Sequence, residues 1–249
     1  MAEPADTIDR EEIARFSALA ATWWDPRGSM APLHKLNPAR LQFLRDALAG
    51  HFGRDPKSLT PFEGLRLLDI GCGGGLIAEP LARLGATVIA IDAAEANIAV
   101  ARAHATTSGL RIDYRVAPAE ELAAAGERYD AVLALEVVEH VADLDAFLAA
   151  AAALIRPGGI FLGSTLNRTP KSFLMAIVGA EYVLGWLPRG THRWDRFLKP
   201  SEFAAGLRRQ GLQMELLRGL VYDLFRDDWR IDTADLDVNY LLVARKPTR

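Results

Sequence analysis

Residues 67–76 read LLDIGCGGGL, with glycines at Gly71, Gly73, Gly74 and Gly75 between an apolar run and a helical one. Glycine lets a backbone turn sharply and approach a ligand with no Cβ in the way, and the helix that follows offers free N–H groups. Such a loop suits a nucleotide-like ligand. Asp92 closes the next apolar run, TVIAID, about twenty residues further on, where a carboxylate can accept two hydrogen bonds from a ribose diol or cap the helix that follows. A second constellation is LEVVEH, with Glu136, Glu139 and His140 at i, i+3 and i+4. If the segment turns helical, all three side chains share a face. They could hold a divalent metal that acidifies a bound hydroxyl, or act without metal, His140 serving as base and a glutamate orienting it. His192 is a weaker alternative base.

These residues need elements to hold them. Short apolar runs (LRLLDI, TVIAID, IDYRVA, YDAVLALEV, GGIFLGST) alternate with helical stretches at 76–84, 95–108 and 144–155. That alternation predicts a parallel sheet covered by helices on both faces. A helix near 201–210, a strand around 213–219 and a closing strand, VNYLLVAR, follow. Residues 1–60 read as a helical extension or lid. Within them, IDREEIARFSALAATWW has apolar residues at helical spacing, and Asn37-Pro38 opens a second helix with Asn37 as N-cap. Trp23 and Trp24 could wall an aromatic pocket, form a lid or face a core. The remainder, 61–249, is the predicted catalytic domain, with an apolar insertion at 167–200.

Composition narrows the choice. Across 249 residues the net charge is −3, so no basic field points to nucleic acid. The lone Cys72 excludes an internal disulfide and does not support a Cys-based zinc site. MAEPADTIDREE is unlike a secretory signal, and no run matches a membrane span, so a cytoplasmic setting is expected. The glycine loop is not a dinucleotide fingerprint, because Leu76 stands where its last glycine belongs, and no G-K-[ST] closes it. An NAD oxidoreductase also needs a catalytic Tyr/Lys or His pair downstream, which is not seen.

The G-x-G-x-G loop instead resembles the first motif of class I S-adenosylmethionine methyltransferases. That resemblance implies a Rossmann-like α/β fold with a mostly parallel seven-stranded sheet. It also implies cofactor contacts from Asp69, near the methionine amino group, and from Leu135, with RPGG at 156–159 as a further landmark. Beyond this domain, EEIARFSALAATWWDPRGSMAPLHKLNPARL, LEVVEHV, STLNRTPKSFLMAIVGAEYVLGWLPRGTH and DVNYLL resemble the ubiquinone-biosynthesis O-methyltransferases over nearly the whole chain. The family places an arginine of the NPxRL segment, here Arg40, on the cofactor; a guanidinium suits a methionine carboxylate.

The resemblance implies methyl transfer to phenolic hydroxyls of polyprenylated precursors, 2-polyprenyl-6-hydroxyphenol and 3-demethylubiquinol. Its mitochondrial members imply a magnesium-type site at Glu136, Glu139 and His140. A substrate whose tail lives in the bilayer implies peripheral contact with the inner membrane and its anionic lipids. Residues 173–187, flanked by Lys171, Arg189, Arg193 and Arg196, suit that contact or a pocket lid. Other enzymes of quinone biosynthesis are possible partners. A non-catalytic cofactor-binding or membrane-adaptor protein is the competing reading, and it would not need the 136–140 cluster.

Overall fold

The computed structural model describes residues 7, 9–175, 177 and 193–248. The helical extension comes first. Helix α1 (Arg10–Leu19) starts where the Asp9 carboxylate accepts hydrogen bonds from the Glu11 and Glu12 amides. Helix α2 (Ala31–Phe52) begins six residues before the expected Asn37 cap, with Pro32 in its first turn, and ends at Gly53 in the left-handed region. Pro38 therefore sits inside this helix. Asn37 is buried, and its side chain accepts from Arg40 instead of capping.

The sheet runs in the order β3-β2-β1-β4-β5-β8-β6-β7. Its strands are β1 (Arg66–Ile70), β2 (Thr87–Asp92), β3 (Asp113–Val116), β4 (Tyr129–Leu135), β5 (Ile155–Leu166), β6 (Gln213–Asp223), β7 (Asp228–Asp232) and β8 (Asn239–Arg245). β1 to β5 are mutually parallel, and β8 pairs antiparallel with both β5 and β6. The sheet has eight strands, one more than expected. The extra one, β7, hairpins antiparallel onto β6. Its sequence, DWRID, is charged and half-exposed, as suits an edge strand, and lacks the apolar run that marks the others.

Alternating side chains feed two cores. Leu67, Ala131, Leu133 and Leu135 face α2 and helix α4 (Glu95–Thr107); Leu68, Val132 and Ala134 face helices α5 (Ala119–Ala124), α6 (Leu144–Leu154) and α8 (Pro200–Arg209). Helix α3 (Ala78–Arg83), a short turn, α7 (Pro170–Ser172), and 3-10 turns at Ala20–Thr22 and Trp194–Arg196 complete the described elements. None of the described helices is long and apolar enough to cross a membrane. In the second core Phe203 of α8 is fully buried, edge-on to Phe161 and near Tyr240. Phe203→Ala should lower the free energy of unfolding by about 3–5 kcal/mol in urea titration. Cofactor affinity, governed from the opposite face, should hold.

Candidate active site

β1 and β4 are adjacent although two strands intervene in sequence, so connections leave their carboxyl ends in opposite directions and open a crevice. The glycine loop lies there. Gly71, Gly73 and Gly75 have φ of +69°, +53° and +89°. Gly73 N donates to Asp92 Oδ2 at 2.9 Å; the other Asp92 oxygen accepts from Ala94 N and from Asn97 Nδ2. Asp92 thus shapes the loop and caps the next turn, with spare lone pairs for a diol. Ala117, Pro118 and Glu120 after β3 continue the wall, and Leu135 faces the same cavity of about 500 Å³.

Trp23 and Trp24 cover the loop, and Trp23 also lines the cavity. A Cβ at Gly73 would come within 2.4 Å of the Trp23 ring, whose Nε1 donates to Asn97. Trp24 Nε1 donates to Gly74 O, and its ring stacks on His104. Cys72 is buried in the same loop, and burial beside Asp92 and Asp69 pushes its thiol well above its ordinary pKa.

Arg40 of α2 is 4 % exposed, with Glu136, Glu139 and Asp69 around it. Its Nη2 donates to Glu136 Oε1 at 3.1 Å and Nη1 reaches Asn37, while Nε has no acceptor among the described residues. With five N–H groups on the guanidinium and two of them engaged, donors remain for a ligand carboxylate. Asp69, also buried, has its Oδ2 without a donor among the described residues. Burial pushes its pKa up to about 7, Arg40 pulling the other way. An orphaned acceptor facing an orphaned cationic donor is what an amino-acid zwitterion fits, ammonium on Asp69 and carboxylate on Arg40.

The segment after β4 is a tight turn rather than a helix, and Glu136 takes φ of +56°. The three candidate side chains part company. Glu136 accepts from Arg40 and from Ser164 Oγ at 2.7 Å. Glu139 is buried, accepts from Thr165 Oγ1 and shares a hydrogen bond with Glu136. Burial, then the Glu136 charge, raise its pKa well above the usual carboxylate range. His140 Nδ1 lies 2.9 Å from Glu12 Oε2 of α1, an ion-pair separation. The expected magnesium set of Glu136, Glu139 and His140 is thus not assembled: Glu136 is engaged by Arg40 and Ser164, Glu139 by Thr165, and the imidazole faces an acid from another helix. No group of three His, Cys, Asp or Glu among the described residues forms a metal cluster. His192 and most of the 167–200 insertion, residues 176 and 178–192, lie outside the described residues.

The structure brings Asp69, Asp92, Arg40, Leu135, Gly71 and Gly73 to one cavity, whose lining also includes Asn97 and Glu12, which sequence reasoning missed. Asn97 was within reach, five residues past Asp92 in the first turn of α4, where an amide can bond back to that carboxylate. Glu12 carried no such signal, because its partner is more than a hundred residues away.

A methyltransferase-domain family profile matches residues 68–163. Magnesium protoporphyrin IX methyltransferase from Synechocystis PCC 6803, solved with bound S-adenosylhomocysteine, superposes with a TM-score of 0.61 at 18 % identity, over 95 % of this chain and 93 % of that one. Fold and domain define an S-adenosylmethionine-dependent methyltransferase of class I. The chain is 60 % identical to ubiquinone biosynthesis O-methyltransferase from Azorhizobium caulinodans, over 96 % of its own length and 94 % of the relative's. It is 56 % identical to the protein of that name from Dinoroseobacter shibae, over 99 % of this chain and all of the relative. It belongs to the ubiquinone biosynthesis O-methyltransferase family.

If Asp69, which titrates near neutrality, receives the methionine ammonium, cofactor binding becomes pH-dependent. Below about 7 Asp69 is protonated and loses its charge for the ammonium. Calorimetric affinity for S-adenosylmethionine should therefore fall by up to tenfold per pH unit below that point, with proton release on binding, and Asp69→Asn should flatten the slope.

Proposed function

We propose that the chain transfers a methyl group from S-adenosylmethionine to phenolic hydroxyls of polyprenylated quinone precursors, 2-polyprenyl-6-hydroxyphenol and 3-demethylubiquinol. The observation that carries this reading is the Glu12–His140 pair, lining the same cavity as the glycine loop, Asp69 and Arg40. Bound S-adenosylmethionine supplies an electrophilic methyl on a sulfonium. The chain's residues then have two tasks. Asp92 receives the ribose hydroxyls, Asp69 the ammonium and Arg40 the carboxylate; Gly71, Gly73 and Gly75 supply the left-handed turns that carry the loop past the nucleoside, with Leu135 on its apolar side. This positioning supplies much of the rate in an in-line displacement.

The second task is to remove a proton. A phenol with a pKa of about 10 is a weak nucleophile at neutral pH until deprotonated. His140 takes that proton at Nε2. The Glu12 carboxyl beside Nδ1 favours the proton on that nitrogen and stabilises the imidazolium that forms. His140 in turn, as hydrogen-bond donor first, holds the Glu12 carboxyl below its ordinary range. Glu136 and Glu139 are not bases in this scheme. Glu136 anchors Arg40, and Glu139, held by Thr165, stands behind that anchor. His140→Ala should cut transfer of labelled methyl to a polyprenyl catechol by about a hundredfold or more while leaving cofactor affinity intact. Thorough chelation should leave wild-type transfer unchanged; loss on chelation would restore the metal reading.

In this reading residues 1–60 form a lid on the catalytic domain, 61–249, and the 167–200 insertion meets the membrane from the cytoplasmic side. Phe173, Leu174 and Met175 are exposed at its start, as an interfacial segment requires. Replacing residues 173–187 by a short polar linker should weaken binding to anionic liposomes more than binding of S-adenosylmethionine. Equal losses would mark a plain structural element.

A further inference from the structure

The β6–β7 hairpin carries none of the residues assigned above to the cofactor, yet it reaches the cavity. Tyr222 of β6 and Trp229 of β7 are register partners with ring centroids 5.3 Å apart, and both line the cavity that holds Asp69 and His140. Helix α2 ties this end to the cofactor end. Lys35 lies 5.7 Å from the Tyr222 ring centre and pairs with Asp227 in the β6–β7 turn. Arg40 is five residues further along the same helix, about 8 Å at a rise of 1.5 Å per residue. The aromatic pair therefore stands beside the methionine end, not the nucleoside end. The Trp229 Nε1–H is buried and has no acceptor among the described residues.

From this wall an apolar path leads outward. Leu224 lines the cavity and is 72 % exposed, and Leu174 and Met175 line it too while reaching solvent. A ligand that fits has a flat ring carrying oxygens at one end and an unbranched-in-charge, wholly apolar substituent at the other. We infer that the β6–β7 hairpin is the acceptor subsite: the phenolic ring lies against Trp229 and Tyr222, an oxygen of the ring accepts from Trp229 Nε1, and the isoprenoid substituent leaves over Leu224, Leu174 and Met175. This rests on the phenol-methylating reading above and adds to it the surface that selects the acceptor.

The test compares two acceptors, 4-methylcatechol and 3-farnesylcatechol, with labelled S-adenosylmethionine. Trp229→Leu should raise the KM of both by about tenfold, the equivalent of one lost ring contact, without a matching change in the cofactor Kd. Trp229→Phe keeps a ring but no N–H, guards against misfolding, and should fall between. Leu224→Asp, on an exposed tip, should raise the KM of farnesylcatechol several-fold more than that of 4-methylcatechol. Wild-type KM values for both acceptors in Trp229→Leu and Leu224→Asp would overturn the subsite, as would a loss of cofactor affinity in Trp229→Leu equal to the loss for acceptor. If the wild-type chain binds S-adenosylmethionine but methylates neither catechol, the phenol reading is what fails. Quenching of indole fluorescence by farnesylcatechol, present in the wild type and reduced in Trp229→Phe, then still decides whether the hairpin binds such a ring.

Discussion

A single buried guanidinium organises the site. Arg40 is nearly inaccessible to water and stands among three carboxyl groups from two strand ends. A charge in that position is tolerable only with partners, and one cation cannot neutralise three anions. Burial eases the surplus by raising Glu139 above the usual carboxylate range and Asp69 to about 7. Glu136 makes the direct ion pair with Arg40, and it does so from a left-handed backbone conformation that costs about 1–3 kcal/mol for a side-chain-bearing residue. Such a geometry persists because Arg40, Ser164 and the Glu136 amide bond to Ser164 O hold it on three sides.

Because Arg40 belongs to α2, the same interaction binds the helical extension to the sheet. Other ties follow the same course. Thr7 O accepts from Ala142 N and its hydroxyl donates to Glu120; Arg196 pairs with the Asp9 cap; Trp23 and Trp24 rest on the glycine loop. The extension is therefore a wall of the cavity, and Glu12 reaches His140 only through it. Removing it would unmake the cofactor site and the proton acceptor together.

How much of this could be read from the chain depended on whether the determinant was local. The β-α alternation, the glycine loop and the Asp92 position are local patterns, and each stands where expected. The 136–140 cluster was read as one face of a helix from its i, i+3, i+4 spacing, but a positive φ at Glu136 turns the chain and sends the side chains to Arg40, Thr165 and Glu12. Those partners come from α2, β5 and α1, which no spacing rule reveals. Asn37-Pro38 resembled a helix start by local chemistry, yet the helix already runs from Ala31 because its apolar face, including Leu33 and Leu36, packs on the core. β7 escaped notice for the opposite reason: an edge strand needs no apolar run, so DWRID carries the composition of a loop.

Cys72 shows another effect of the buried acids. It sits in the glycine loop between Gly71 and Gly73, and its thiol donates to the Gly73 carbonyl at 3.7 Å. A thiolate is the form that is alkylated, and burial with the nearby Asp92 and Asp69 disfavours it. In a protein that handles an electrophilic methyl group, those carboxyls keep its one sulfhydryl inert.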